Sequence, residues 1–133
     1  MIRKATGADV PQLVAWFYDF HRAANARFPF DPEYSAEFMH GLIDGGVVLT
    51  NGRGMIGGMI VPVFCSPAWR QAHELFWWAE SGGIGLLRAF EDWAKGEGAQ
   101  EVRMSSLASL PRAGAILRRK GYAASETNFS KVL

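Results

Sequence analysis

Cysteine is nearly absent: Cys65 is the only one in 133 residues. No internal disulfide can form, so the chain suits a reducing compartment, and a cytoplasmic location is expected. Long hydrophobic runs are also missing. Nothing approaches the ~18 to 20 apolar residues of a membrane span, and the opening "MIRKATGADVPQL" turns polar at once, without an apolar signal core. No charge of one sign dominates, since 14 Lys and Arg face 13 Asp and Glu for a net charge of +1. Bulk electrostatic binding to nucleic acid or to a membrane surface is therefore not expected. Histidine occurs three times, as His21, His40 and His73. Neither these nor Cys65 have tight ligand spacing, and no metal site is expected. Internal repeats, low-complexity tracts and linkers are lacking too. What remains is apolar: 49% of the residues are hydrophobic and 13% aromatic. Residues 1–133 are read as one domain with one core.

The patterning predicts a mixed α/β chain. "IRKA" alternates as a short strand. Thr6 with Asp9 three residues on is a variant capping box, and Pro11 sits early in the helix that follows. Val10, Leu13, Val14, Phe17, Phe20 and Ala24 form one apolar stripe, with Trp16 and Tyr18 off it. Asp31 caps a second helix that starts at Pro32 and ends near Gly45. "GVVLT", "NGRG" and "MIGGMIVPVF" read as a hairpin around Asn51-Gly52, with Pro62 near an end, an edge or a bulge. Cys65, Ser66 and Pro67 are expected as a loop. "AHELFWWA" is a fourth strand, followed by a helix with Leu86, Leu87, Phe90, Trp93 and Ala94 on one face and Glu91 and Asp92 on the other. "EVRMSS" is a fifth strand, "LPRAGAILRRKG" a short helix and "TNFSKVL" a closing strand. The strand–helix–strand crossover around the fourth and fifth strands implies parallel pairing.

Between the fourth strand and its helix lies "ESGGIG", residues 80–85. The first N–H groups of a helix have no partner inside it and carry partial positive charge. Glycines let an anion approach them, so Ser81, Gly82, Gly83, Ile84 and Gly85 are candidate phosphate binders. A simple turn is the alternative. Arg88, one turn into the helix, can reach a phosphate or lie on a plain exposed face.

Element order, length and this loop resemble the GNAT superfamily of acyl-CoA N-acyltransferases, over nearly the whole chain. "IRKATGADVPQLVAWF" is similar to the family's first strand and helix, and "RAGAILRRKGYAASETNFSKVL" to its last helix, Gly-aromatic step and final strand. "ELFWW" with "LLRAFEDWA" is similar to a run in some phage-encoded members. The resemblance implies a mixed, mostly antiparallel sheet with a central parallel strand pair and helices on both faces. It implies acetyl-CoA as co-substrate and transfer to the primary amine of a small molecule, peptide or protein.

Carried over residue by residue, the family's Arg/Gln-x-x-Gly-x-Gly/Ala loop places its glycines at Gly83 and Gly85. Its backbone contacts to the thioester and pantetheine arm fall on Phe76, Trp77 and Trp78, and its carboxylate base on Glu74. Strand alternation would put Glu74, Phe76 and Trp78 on one face, and apolar rings beside Glu74 would raise its pKa, as suits a base. Three positions depart from the family. Glu80 stands where Arg or Gln is usual, and the loop is about three residues shorter. Leu117 occupies the place of the tyrosine acid, and Leu110 that of an asparagine. Tyr122 is a replacement acid or simply packing. Arg118, Arg119 and Lys120 meet the 3′-phosphate or merely complement a helix C-terminus. "ARFPFDPEY", with Trp16, Phe28, Phe30 and Tyr34, is the acceptor-side candidate. The departures leave a second reading, a degenerate module of this fold that binds acyl-CoA or a protein partner. A third is an interaction protein without coenzyme A, and the aromatic content permits a homodimer.

Overall fold

The spacings resolve into β1 (Arg3–Lys4), a 3-10 turn (Gly7–Asp9), α1 (Val10–Ala23), α2 (Pro32–Gly45), β2 (Val47–Thr50), β3 (Gly54–Val63), β4 (Ser66–Ala79), α3 (Gly83–Gly96), β5 (Glu101–Arg103) and α4 (Arg112–Arg119). The computed structural model describes residues 1–133. Local chemistry sets the helix starts. Thr6 N donates to Asp9 Oδ2 at 2.8 Å, and the same carboxylate pairs with Arg3 at 2.8 Å, tying β1 to the head of α1. Asp31 Oδ1 accepts from Tyr34 N at 2.9 Å, and Pro32 follows in the first turn of α2.

The sheet runs β1-β2-β3-β4-β5. All neighbours are antiparallel except β4 and β5, which are parallel. α1 and α2 cover one face, where Leu13, Trp16, Met39 and Leu42 meet Val48, Met55 and Phe76. α3 covers the other, where Leu86, Phe90 and Ala94 meet Val47, Leu49, Ile56 and Ala72. Helices on both faces of a mostly antiparallel sheet are therefore the observed architecture.

Several details differ from the sequence reading. Trp16, expected off the stripe of α1, is 4% exposed. Its helix packs against both the sheet and the neighbouring α2, so a wider arc of it is covered. The hairpin after β3 is tighter than a Cys65-Ser66-Pro67 loop: Val63 pairs with Ser66, and β4 begins there. The register shifts between Pro62 and Val63, at the strand end where a proline is tolerated. No closing strand forms over "TNFSKVL", because Phe129, Val132 and Leu133 are exposed and meet no apolar surface. Alternation without a surface to bury against does not make a strand. β5 is consequently an edge strand, and the parallel pair stands at the end of the sheet rather than at its centre.

Candidate active site at the β4–β5 gap

β4 is continuous along β3 but not along β5. Only Gln71, Ala72 and His73 pair with β5, opposite Glu101, Val102 and Arg103. Residues 74–79 have no strand on that side, so a gap opens toward the C-terminal end of β4.

A bulge lies at the mouth of this gap. Gly57 pairs with Phe76 and Gly58 with Glu74, which leaves Leu75 as an extra residue. Glycine is required opposite it: a side chain on Gly57 would strike the Phe76 ring, and one on Gly58 the His73 carbonyl and the Phe90 ring. The bulge interrupts alternation. Ala72 packs with α3, whereas Phe76 and Trp78 pack on the α1 and α2 side. Glu74 pairs with Gly58, which opens onto Phe90 of α3, and so keeps the face of Ala72. Glu74, Phe76 and Trp78 therefore do not share a face.

Glu74 spans the gap. Its Oε1 accepts from Ser105 N, just beyond β5, at 2.9 Å. Burial pushes its carboxyl up to about 7, and the Ser105 hydrogen bond offsets this only in part. Burial is the cause, and the rings of Phe76 and Trp78 lie on the other face of the strand. His73, the last paired residue, lies on the opposite face of β4 and donates to or accepts from Gln71 Oε1 at 2.9 Å. Burial and the Arg103 cation hold its imidazole below the usual histidine value.

At its far end the gap meets the glycine loop. Gly82 has φ +74°, the left-handed region, and stands at the N-cap of α3. A side chain there would also come within 2.6 Å of Asn51 Nδ2, which donates to Ser81 O at 3.0 Å. Trp77 faces α3, and its indole N–H donates to Gly83 O at 3.1 Å. Thus the β2–β3 turn and Trp77 hold the loop, while no side chain caps the helix start. Ser81, Gly82 and Ile84 are exposed, Gly83 and Gly85 half-buried, and Arg88 exposed one turn further on.

Glu80 does not lie over the helix start. Trp16 Nε1 donates to its Oε1 at 3.1 Å, and Arg53 Nε lies 3.5 Å from its Oε2. These contacts hold the negative charge toward α1 and pair it with a cation. Trp78 packs on the same side with its buried indole N–H unpartnered and its ring 6.0 Å from that of Phe20.

The remaining candidates scatter. Leu117 is buried, and Arg118, Arg119 and Lys120 are exposed at the end of α4. Tyr122 donates to Glu91 Oε2 at 2.8 Å. Burial first, then that carboxylate, raises its pKa well above the phenolic range, so its proton is held. Glu91 is thereby drawn in, whereas the sequence placed it on the outer face. Phe28 is 69% exposed, and Phe30 packs on Tyr18. Tyr34 does line a cavity of about 320 Å³, with Phe17, Ser35, Phe38, Leu75 and Phe76. Sequence reasoning passed over Leu75, because a bulge leaves no mark in hydrophobic alternation. It also passed over Asn51 and Arg53, which read only as turn residues.

The sequence matches no family model and no curated protein, but the backbone has solved counterparts. A "predicted acetyltransferase" from Clostridium acetobutylicum, solved with acetyl-CoA, superposes with a TM-score of 0.78 at 12% identity, over 99% of this chain and 95% of that one. A ribosomal-protein-alanine N-acetyltransferase from Brucella melitensis gives 0.73 at 11% identity, over 100% and 99%. The fold is that of the GNAT acetyltransferases. The GNAT frame alone does not set a chemistry, since a transcriptional regulator from Bacillus halodurans also superposes, with a TM-score of 0.78 at 18% identity, over 100% and 99%. Nor does any helix have the length and apolarity to cross a membrane.

Proposed function

We propose that the protein is an N-acetyltransferase that moves an acetyl group from acetyl-CoA directly to a primary amine. The observation that carries this reading is the one-sided stretch of β4, residues 74–79, which runs from a half-buried carboxylate into an uncapped helix start. An acyl-pantetheine arm fits such a stretch, because its amides can pair with the free strand edge. The pyrophosphate fits the exposed N–H groups of Ser81, Gly82, Gly83, Ile84 and Gly85, with Arg88 nearby. Phe76, Trp77 and Trp78 supply the edge with their backbone groups.

Glu74 handles the transferred proton. With a pKa of about 7 it is substantially ionised at neutral pH, and it protonates readily once a proton is offered. It takes a proton from the attacking amine and returns it to the departing sulfur, whose ordinary pKa is ~8.5. This assigns to one carboxylate the task that a tyrosine at the place of Leu117 would perform.

Thermal unfolding with acetyl-CoA, with ATP as control, tests binding. A ligand at ~100 times its dissociation constant adds ~2.7 kcal/mol to the folded state. The expected result is an upward shift of several degrees for acetyl-CoA alone. Chromatographic detection of acetylated amine across a panel then tests transfer; thiol detection is unsuitable because Cys65 is exposed. Protection by acetyl-CoA without transfer to any amine would instead favour an acyl-CoA-binding module, the reading that Leu117 and the committed Tyr122 hydroxyl support.

A further inference from the structure

Residues 123–133 make no backbone hydrogen bond and join no strand. One polar contact holds them, between the Glu126 carboxylate and Arg103, the last residue of β5. Arg103 pairs with His73 at the last rung before the gap. Ser105, two residues further on, is the partner of Glu74. The tail is thus pinned within ~7 Å of extended backbone from the mouth of the gap.

Lys131 follows that pin by five residues. A free chain of this length has an r.m.s. span of ~12 Å and a limit of ~17 Å, so the gap is within reach. The Lys131 ammonium is exposed and has no carboxylate partner. Phe129 and Leu133, also exposed, would flank it on one side of an extended segment and gain burial on entry. The other lysines are fixed elsewhere. Lys4 is paired in β1, three strands and ~14 Å from β4 across the sheet. Lys95 lies in the last turn of α3, ~18 Å along the helix axis from Gly83. Lys120 closes α4, its N–H donating to Ile116 O and Leu117 O.

Resting on the acetyltransferase reading above, we propose that Lys131 is acetylated by its own chain, with its Nζ threaded between β4 and β5 to the thioester. The site is the gap itself and not the apolar cavity. The ammonium first releases one proton to solvent. Nζ then bonds to the acetyl carbon as the C–S bond breaks. The second proton passes through Glu74 to the sulfur, so acetyl-lysine, thiol and one solvent proton result. A short tether supplies an effective concentration of ~1 mM, about 100 times that of a second molecule at ~10 µM.

Peptide-mapping mass spectrometry after incubation with acetyl-CoA alone tests this. One acetyl group is expected, on Lys131, at a rate per molecule that does not change with protein concentration. In a mixture with ¹⁵N-labelled Glu74→Gln protein, each at ~10 µM, Lys131 of the labelled variant should react about 100-fold more slowly. A rate proportional to protein concentration, or equal modification of the variant, would overturn the intramolecular step. Modification of Lys95 or Lys120 as fast as Lys131 would overturn the assignment. Lys131→Arg should stay unmodified and keep the thermal shift with acetyl-CoA. Unmodified Lys131 in protein that acetylates added amines would overturn this proposal and leave the parent reading standing. No thermal shift and no transfer to any amine would remove both.

Discussion

Two adjacent stretches of β4 behave differently. Residues 71–73 pair on both sides, whereas Glu74 and residues 76–79 pair only with β3 and Leu75 bulges out. The first stretch is scaffold, with Ala72 fully buried under α3. The second stretch is aromatic, "LFWWA" after Glu74, and alternation sends Phe76 and Trp78 to the α1 and α2 face and Trp77 to the α3 face, while the extra residue Leu75 separates Glu74 from Phe76 and Trp78. A strand can thus hold a sheet together at one end and offer a free backbone edge at the other. The bulge at Leu75 marks the change.

Removing the one charge at the boundary should have the largest effect. Glu74→Gln is expected to lower acetyl transfer by ~10²- to 10⁴-fold. In the unsubstituted protein the rate should rise as pH passes about 7, where Glu74 ionises, and this inflection should vanish in the variant. Stability should move the other way. A carboxyl whose folded pKa is raised binds more protons folded than unfolded between the two pKa values. Folding is therefore weakened as pH rises from the ordinary carboxylate range to about 7, and the deficit persists above it. Glu74→Gln should accordingly melt higher than the unsubstituted protein at pH 8, and the difference should disappear near pH 4. Equal melting temperatures at pH 8 would show that the carboxylate is well solvated.

Filling the space opposite the bulge comes next. Gly58→Val would press against the His73 carbonyl and the Phe90 ring. A loss of ~1 to 3 kcal/mol, typical of overpacking, should appear in denaturant unfolding. An unperturbed midpoint would mean that the two stretches of β4 do not depend on this close approach.

The smallest change concerns the far end. Glu80→Gln removes a negative charge beside the helix start, but that charge is half-exposed and already paired with Arg53. Surface pairs contribute roughly 0 to 1 kcal/mol, so acetyl-CoA affinity measured by calorimetry should tighten by less than ~10-fold. Weaker binding would show that Glu80, held by Trp16, supports the loop instead of opposing the phosphate.

Much of the frame was legible from pattern alone. Gly82 to Gly85 after an aromatic strand marked the loop, and Leu86, Leu87, Phe90 and Ala94 marked the buried face of α3. Asp31-Pro32 marked the start of α2. These signals are local: a cap, a turn or a helical stripe is specified within a few residues. The site was less legible. Alternation put Glu74 beside Phe76 and Trp78, and one inserted residue separated them. Glu80 stood where the resembled family carries Arg or Gln. Its partners, Trp16 and Arg53, are distant in sequence and draw it aside. Tyr122, a replacement acid or packing by sequence, has its hydroxyl held by Glu91.

The sequence by itself determined where the helices and most of the strands lie, where the glycine turn falls, and that two apolar faces must be covered. Those outcomes follow from propensity, capping and periodicity, which act over a few residues. Only the tertiary structure decided that β5 leaves β4 after three residues, that "TNFSKVL" adds no strand, and that Glu74 and His73 stand on opposite faces at the mouth of the gap. Strand divergence and bulges depend on what packs against each face. That competition, between burying Phe76 under α1 and burying Ala72 under α3, is fixed only when both helices are in place.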